Sequence, residues 1–433
     1  MDKSETYFDY TASGMPPVPP APEKEKGSGK GLFLIGVVVG IAIALFVVGI
    51  GYLGFGLQSA MERQDQPVLA EGAVVNEALI TKLQLLEEYI DRMFYLDEVS
   101  SEDLQTGIYK GLMEALNDPY SVYYSAEELS SFMQQTEGIY FGIGAYMQMD
   151  QETGLPLITN LIPGSPAEDS ELRPGDLVYQ VDGEPVQGLS LDEAVAMIKG
   201  PENTQVTLTV VRESAEDFLD ITLTRRKVET PTVTVEMLDD GMAYIQITEF
   251  DDVSVDQFTE ALAVAKGSGM KGMILDLRGN PGGSLDAVVQ MCRMILPEGM
   301  IVYTENKSGE REEFTCDGKH ELQVPLVVLV DGNSASAAEI MAGAIKDHGL
   351  GTLVGTTTFG KGIVQQVIPL RDGSAIKITI SAYYTPNGSN IHGIGIAPDV
   401  ECPFDGEAYY GSEDHPDNQL EKAKEVLEKL MAE

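Results

Sequence analysis

The chain of 433 residues is long enough for two or three domains, and 43% of its residues are hydrophobic, which is sufficient for their cores. Lysine and arginine total 28 against 69 acidic residues, so the net charge of −41 opposes binding to the phosphates of nucleic acid. The four histidines show no metal-binding spacing, and we expect no metal or other cofactor. The three cysteines cannot form a disulfide framework, although a Cys316–Cys402 bridge stays open.

The N-terminus combines a polar tail with an apolar segment. Residues 1–30 are rich in Pro, Gly, Ser and Lys, which predicts a disordered cytoplasmic tail. The uncharged stretch Leu32–Leu57 exceeds the roughly 20 residues that span a bilayer, and lysines precede it closely. We therefore expect a single transmembrane helix over 31–57, with the N-terminus inside and the remaining chain outside. A cleaved signal peptide, with a weak site at Val68–Ala70, is the alternative.

Helical periodicity begins after a linker over 58–73. Apolar residues recur at intervals of three and four from Ala78 to Phe94, and a second helical stretch runs from Leu104 to Leu116. An Asn-Asp-Pro sequence ends the second stretch. We expect residues 74–125 to form a helical pair that packs either on the C-terminal domain or on a second copy of the chain, as in a homodimer.

Short strands and turns characterise residues 126–226. Leu172–Asp176 reads LRPGD, Val181–Gly183 reads VDG, and a helical pattern follows over Leu191–Lys199. Together these features resemble a PDZ domain. Glycines before its first strand would free backbone amides to bind a terminal carboxylate, while an extended peptide adds to the sheet edge. The candidate peptide-binding residues are Phe141, Gly142, Ile143 and Gly144. A small β domain whose glycines only form turns is the alternative.

Residues 227–403 have the pattern of an α/β domain. Strands are predicted over Met242–Ile247, Met273–Leu277 and Leu326–Val330. The second and third are each followed by a small-residue turn and a helical pattern, which indicates parallel winding. The acidic tail over 404–433 ends in a helical pattern, Asn418–Met431, which we expect to dock on this domain.

A serine turn follows the third of these strands. The segment Asn333–Glu339 carries Ser334 and Ser336 from a strand end to a helix start, where first-turn amides and the helix dipole favour an oxyanion. The four residues from Ser336 to Glu339 also match a helix-capping box, S-x-x-E. Alone, the segment is more typical of a cap than of a nucleophile.

A lone lysine stands between two glycines further along the chain. Lys361 lies in Thr358–Gln366, where the backbone can approach closely and a side chain can point inward. Lysine can serve as the base for a serine if burial lowers its pKa. Alone, this segment is more typical of an exposed loop lysine.

Three motifs that follow one another along the chain indicate a family of proteins. The loop Asp276–Gly283, the serine turn and the lysine segment together resemble the carboxyl-terminal processing proteases, or tail-specific proteases, over roughly residues 75–403. This resemblance implies a crotonase-like α/β protease core, an inserted PDZ domain and a serine–lysine dyad. In the family the lysine follows the nucleophile by twenty-five residues, which selects Ser336 over Ser334 as the partner of Lys361. Ala338 departs from the family, where many members have another serine.

The resemblance also implies a mechanism. A neutral Lys361 would deprotonate Ser336, which attacks a peptide carbonyl, and the lysine would then protonate the leaving amine. The amide of Ala337 is the first expected oxyanion donor, and the Gly282–Gly283 turn provides the second. The supporting glutamine of the family corresponds to Gln365, which we expect to hold the amine by a hydrogen bond.

One other catalytic mechanism and two other functions are alternatives to this interpretation. A Ser-His-Asp arrangement would need His348, at a polar helix end typical of a cap, or His392, in a glycine-rich turn. An inactive membrane-anchored PDZ scaffold need not retain the serine, the lysine and both glycine turns. Export and a PDZ domain argue against a crotonase-type acyl-coenzyme A enzyme. The sequence predicts a serine endopeptidase, anchored outside the cytoplasmic membrane of a bacterium, that cleaves proteins near a free C-terminus.

Overall fold

The computed structural model describes residues 74–433 except Asp97, Glu213, Glu216 and Glu413. The expected tail, transmembrane helix and linker over residues 1–73 lie outside the described residues. In the part of the chain that is described, no helix combines the length and the apolar character needed to cross a bilayer.

The chain divides into two units, of which the first ends at Glu98. Its described part contains helix α1, Glu77–Met93, as the apolar periodicity predicts. Asn76 begins this helix, because its side-chain oxygen accepts the Leu79 amide at 3.1 Å. No residue of α1 is buried.

The second unit, Val99–Glu433, contains the other described elements. Its helices are α2 Ser101–Glu114, α3 Ala126–Glu137, α4 Leu191–Ile198, α5 Asp252–Gly267, α6 Leu285–Cys292, α7 Ala337–Asp347, α8 Gly406–Gly411 and α9 Asn418–Ala432. Its strands are β1 Val122–Tyr124, β2 Ile139–Gly142, β3 Ala145–Met149, β4 Pro156–Leu161, β5 Leu177–Val181, β6 Glu184–Pro185, β7 Gln205–Val211, β8 Leu219–Thr224, β9 Arg226–Glu229, β10 Val233–Met237, β11 Met242–Ile247, β12 Gly272–Asp276, β13 Glu298–Asn306, β14 Arg311–Asp317, β15 Leu326–Val330, β16 Gly351–Gly355, β17 Ile363–Pro369, β18 Ala375–Tyr384 and β19 Val400–Glu401.

Strands β3 to β8 form an antiparallel β domain with its own apolar core. The sheet order is β3-β4-β5-β7-β8, with β6 paired to β5. Helix α4 starts at a capping box between Ser190 and Glu193 and lies against β3 and β5. Strand β3 pairs only with β4 in the described chain, so one edge of β3 stays open beside α4. This is the arrangement that the PDZ-like pattern predicts.

A separate two-stranded ribbon, β2 with β9, carries the chain into and out of this β domain. Helix α3, which precedes the ribbon, contacts β1 and α5 rather than the β domain's sheet. Residues 126–142, assigned to the PDZ region from sequence, therefore lie outside the six-stranded sheet.

The catalytic-domain candidate is a mixed sheet with helices on both faces. Its order is β10-β11-β12-β15-β16-β19, parallel except for β10. All five residues of β15 are buried, which explains its uninterrupted apolar run. Helices α5, α6 and α7 cover one face, and α9 docks on the other through Ala423 and Leu427. A second sheet, β1-β18-β13-β14 with β17 paired to β18, completes the unit.

Candidate active site

Ser336 lies in the turn between β15 and α7, with φ 54° and ψ −113°. Residues other than glycine rarely adopt such backbone angles, so the turn is strained and the surrounding contacts must hold it. The Tyr383 hydroxyl donates to the Ser336 carbonyl at 3.0 Å. Burial, and then the charge of Glu339, raise the pKa of Tyr383 well above its usual range, so this hydroxyl stays a donor.

A cavity of about 500 Å³ brings the expected catalytic side chains together. Ser336, Lys361 and Gln365 all line it, with helix α3 forming part of the wall. Ser334 has a different place: it is fully buried, and its hydroxyl donates to the Leu277 carbonyl at 2.8 Å. The geometry therefore favours Ser336 as the serine that can meet a substrate.

The amine of Lys361 lies 4.5 Å from the centre of the Tyr120 ring and is half-buried. Burial lowers the pKa of Lys361, and the nearby charge of Lys377 lowers it further, whereas Asp118 and Glu339 act in the opposite direction. In the described chain this amine has no hydrogen-bond or ion-pair partner. A lysine in this setting loses its proton more easily than an exposed one.

Glu339 connects the serine turn to the lysine segment. Its carboxylate is fully buried and accepts the Ser336 amide at 2.9 Å, the carboxylate half of the expected capping box. The same carboxylate accepts the amides of Gly360 at 2.7 Å and Lys361 at 2.8 Å, and the Thr358 hydroxyl at 2.6 Å. The S-x-x-E pattern predicts only a capping role for Glu339, and its contacts with the lysine segment do not follow from that pattern.

The two glycines of the expected oxyanion turn have different roles. The Gly282 amide donates to the Asn280 side-chain oxygen at 2.8 Å and Gly282 does not line the cavity, so this amide is already engaged in the structure. Gly283 and Ala337 both line the cavity, and neither amide has an acceptor among the described residues. The available pair of donors is thus Gly283 and Ala337.

Gly282 is required for close packing instead. A Cβ at this position would lie 2.7 Å from the Ser336 Cβ and 2.9 Å from the Ala337 nitrogen, and its φ of 106° already disfavours a side chain. Asn280 fixes this loop from within the core, because its side-chain amide donates to the Ile247 carbonyl at 2.8 Å. The backbone carbonyl of Asn280 accepts the Ala335 amide at 2.9 Å.

Gln365 does not contact the lysine amine as expected. Its side-chain amide donates to the Thr379 hydroxyl at 3.2 Å and the Ile363 carbonyl at 3.4 Å. The expectation assumed a helical step of four residues, but Gln365 lies on strand β17. Four residues of strand span about 13 Å, against about 6 Å on a helix.

The candidate peptide-binding residues also fall into two groups. Phe141 and Gly142 belong to β2 and pair with Lys227 and Arg226 in the ribbon. Ile143 and Gly144 follow, immediately before the open edge of β3, and their amides have no acceptor among the described residues. The Cβ of any larger residue at Gly144 would lie 2.2 Å from the Ser165 Cβ.

Neither the histidine-based alternative nor the Cys316–Cys402 bridge finds support here. His348 bonds to the Met300 carbonyl at 2.7 Å, and neither His348 nor His392 lines the cavity. Cys292, Cys316 and Cys402 are all free thiols. Among residues 74–433 as described, no group of three or more His, Cys, Asp or Glu side chains could hold a metal ion.

Comparison with known proteins identifies the family. A model of peptidase family S41 matches residues 241–402, and a PDZ-domain model matches residues 157–212. The solved photosystem II D1 C-terminal processing protease is 30% identical, with a TM-score of 0.44 over 74% of this chain and 86% of that chain.

Two curated relatives are similar over most of their own length. The carboxyl-terminal-processing protease of Synechocystis sp. is 37% identical over 326 residues, which cover 74% of this chain and 75% of that protein. The carboxy-terminal processing protease CtpA of Bacillus subtilis is 36% identical over 333 residues, 77% of this chain and 71% of that protein. The chain therefore belongs to peptidase family S41, as a serine-type carboxyl-terminal processing protease with a PDZ domain.

Proposed function

We propose that this chain is a membrane-anchored serine endopeptidase that cleaves proteins near their C-terminus, with Ser336 as nucleophile and Lys361 as general base. One observation carries the catalytic assignment: Ser336, Lys361 and the free amides of Gly283 and Ala337 meet at one cavity. A strained serine, an amine of lowered pKa and two unused amides are the parts that acyl transfer requires.

The proton moves between two side chains in this mechanism. Neutral Lys361 takes the proton of the Ser336 hydroxyl as its oxygen attacks the peptide carbonyl, and the amides of Ala337 and Gly283 donate to the oxyanion. When the C–N bond breaks, the lysine ammonium gives its proton to the leaving amine. Neutral Lys361 then takes a proton from a water molecule as that water attacks the ester carbonyl, and it returns the proton to the Ser336 oxygen when the ester C–O bond breaks.

Replacing the base tests this assignment. Lys361→Arg keeps a positive charge, but a guanidinium does not lose its proton in proteins. We expect the arginine variant to be as inactive as Lys361→Ala on unstructured peptides, while both retain the circular dichroism of the parent. Substantial turnover by Lys361→Arg would contradict the dyad and favour another base.

The PDZ domain is proposed to bind the free C-terminus of the substrate. The open edge of β3 can accept an extended peptide, and the Ile143 and Gly144 amides at its start can donate to a carboxylate. Amidating a substrate removes the terminal charge and leaves every side chain intact. We expect cleavage of the amide to be markedly slower, and Gly144→Val to reduce the difference. Equal rates for acid and amide would contradict terminal recognition.

The anchor is proposed from sequence, since Leu32–Leu57 has the length and character of a membrane span. Lysines on its N-terminal side favour a cytoplasmic N-terminus and a protease domain outside the membrane. Protease added to intact, wall-stripped cells should therefore digest the portion over 75–433. Complete protection of that portion would reverse the proposed topology.

A further inference from the structure

A second lysine lies in the cavity that contains Ser336. Lys377, on β18, is half-buried, and its ammonium lies 4.9 Å from the centre of the Phe132 ring and 5.4 Å from that of Tyr124. Within the described chain it has no hydrogen-bond or ion-pair partner. With 69 acidic residues in the sequence, a half-buried lysine that forms no ion pair is unusual.

Glu249 and Asp251 line the same cavity as Lys377, and Glu114 lines a neighbouring one, but in the described chain none of them forms an ion pair with its ammonium. Glu128 lines a neighbouring cavity together with Lys377, but its carboxylate pairs with Lys110 at 2.7 Å. Aromatic faces attract a cation while leaving its N–H donors free for another acceptor. The ammonium of Lys377 is thus held in place with hydrogen-bonding capacity to spare.

The position of Lys377 relative to the catalytic residues follows from strand register. Strand β17 begins two residues after Lys361. Its residue Val367 lies opposite Lys377 of the neighbouring antiparallel strand β18. Gln365 and Val367 are two positions apart on β17, share a face, and line the cavity with Lys377. This wall therefore extends from the lysine base towards Lys377, and an extended substrate at Ser336 can run along it.

We propose that Lys377 binds a carboxylate of the substrate a few residues from the scissile bond and so helps to determine where the chain is cut. The inference rests on the proposed function. The carboxylate is either the free C-terminus of the segment to be removed or an Asp or Glu side chain. A flexible ammonium with three donors suits both.

Binding measurements can test this without turnover. The affinity of fluorescent peptides is measured for full-length protein that carries Ser336→Ala. Each peptide has an amidated end and one Glu, whose position is moved stepwise to either side of the scissile bond. A peptide with Gln at the same position is the control for each. We expect the Glu peptide to bind roughly tenfold more tightly than its Gln control at one or two positions. A second peptide set, with free or amidated ends at increasing distance from the scissile bond, tests the terminal carboxylate.

Substitutions at Lys377 assign the effect to this residue. Lys377→Gln should remove the preference, Lys377→Arg should retain it, and Lys377→Glu should favour peptides with Lys in place of Glu. Lys307→Gln, at an exposed position of the β13–β14 hairpin, is the matched control and should change nothing. A carboxylate bound only by the PDZ domain would be insensitive to Lys377, and that result would overturn the inference.

Two further outcomes separate this inference from the proposed function. One outcome is that the protein with Ser336 intact cleaves each Glu peptide as fast as its Gln control, and each free-ended peptide as fast as its amidated form. In that case the protease assignment stands and the role of Lys377 fails. If the Ser336 form cleaves no peptide, the proposed function fails, whereas the binding preference measured in Ser336→Ala still decides whether Lys377 binds a carboxylate. A preference for carboxylates that persists in Lys377→Gln would place the binding group elsewhere and overturn the inference.

Discussion

The backbone amides of Ser336 and Lys361 donate to the same atom, Oε2 of Glu339, at 2.9 and 2.8 Å. The other oxygen of this buried carboxylate accepts the Thr358 hydroxyl and the Gly360 amide. One side chain therefore sets the distance between the nucleophile's turn and the segment that carries the base. Catalysis is expected to depend on this residue although it does not touch the substrate.

Removing the Glu339 carboxylate should cost both stability and activity. Glu339→Ala would leave several buried donors without an acceptor, which we expect to lower the free energy of unfolding by about 3 kcal/mol. Glu339→Gln keeps the shape and should lose less stability but most of the kcat. Urea unfolding and peptide turnover measure the two effects. Glu260→Gln, an exposed site on α5, should change neither; full activity in Glu339→Ala would contradict the positioning role.

Adding one methyl group at Gly282 should displace the nucleophile. In Gly282→Ala the new Cβ would meet Ser336 and Ala337 at distances that no relaxed structure contains. We expect kcat to fall by about 10²-fold or more, since the oxyanion donors would move with the turn. Gly309→Ala is the control, because Gly309 also has a positive φ of 80° but nothing lies near its Cβ. Equal activity of both variants would contradict this role for Gly282.

The pH dependence of kcat should follow the proton of Lys361. Activity rises with pH as the ammonium becomes neutral, and the lowered pKa moves the midpoint below that of an exposed lysine. The charged groups acting on it are Lys377, Asp118 and Glu339. Lys377→Gln removes a positive neighbour, so the pKa of Lys361 and the midpoint should both rise.

Asp118→Asn removes a negative neighbour, so the midpoint should move in the opposite direction, to lower pH. Peptide turnover measured across the alkaline range gives both midpoints. Shifts in the same direction for the two variants, or no shift in either, would show that Lys361 is not the titrating base.

The C-terminal helix should depend on Arg278. Its guanidinium pairs with the fully buried Asp276 at 2.6 Å and with Asp417, just before α9, at 2.9 Å. Arg278→Leu leaves a buried carboxylate unpaired, so we expect a loss of about 3 kcal/mol in unfolding free energy. Hydrogen exchange in α9 should also accelerate.

The exposed pair of Arg311 and Glu305 provides the comparison for this variant. Arg311→Leu should leave the unfolding midpoint nearly unchanged, because water screens that pair. Protection of α9 that is unaffected by Arg278→Leu would show that its apolar contacts alone dock the helix.

Local pattern was sufficient to predict many elements. The uninterrupted apolar run predicted strand β15, and the amphipathic period predicted helix α4. Both elements have nearly the expected bounds. Helix α3 was missed, because residues 126–226 were predicted to form short strands and turns, whereas Ala126–Glu137 is a helix that begins at a capping box between Ser125 and Glu128. In the structure α3 lines the cavity of Ser336.

The site depended on tertiary contacts that spacing does not encode. Glu339 bonds to groups 19 to 22 residues away, a relationship invisible in a four-residue motif. Gly282 and Gly283 are adjacent and equivalent by sequence, and only the Asn280 side chain makes their amides different. The expected role of Gln365 relied on a helical step that strand β17 does not provide.

Ser336 and Lys361 are proposed to cleave peptide bonds together, near the C-terminus of the substrate. The most direct measurement incubates full-length protein and its Ser336→Ala form with unstructured proteins and identifies the fragments by mass spectrometry. We predict fragments shortened at the C-terminus from the parent and none from Ser336→Ala. Identical fragments from both forms, or no fragments from the parent, would show that Ser336 is not the nucleophile of such a protease.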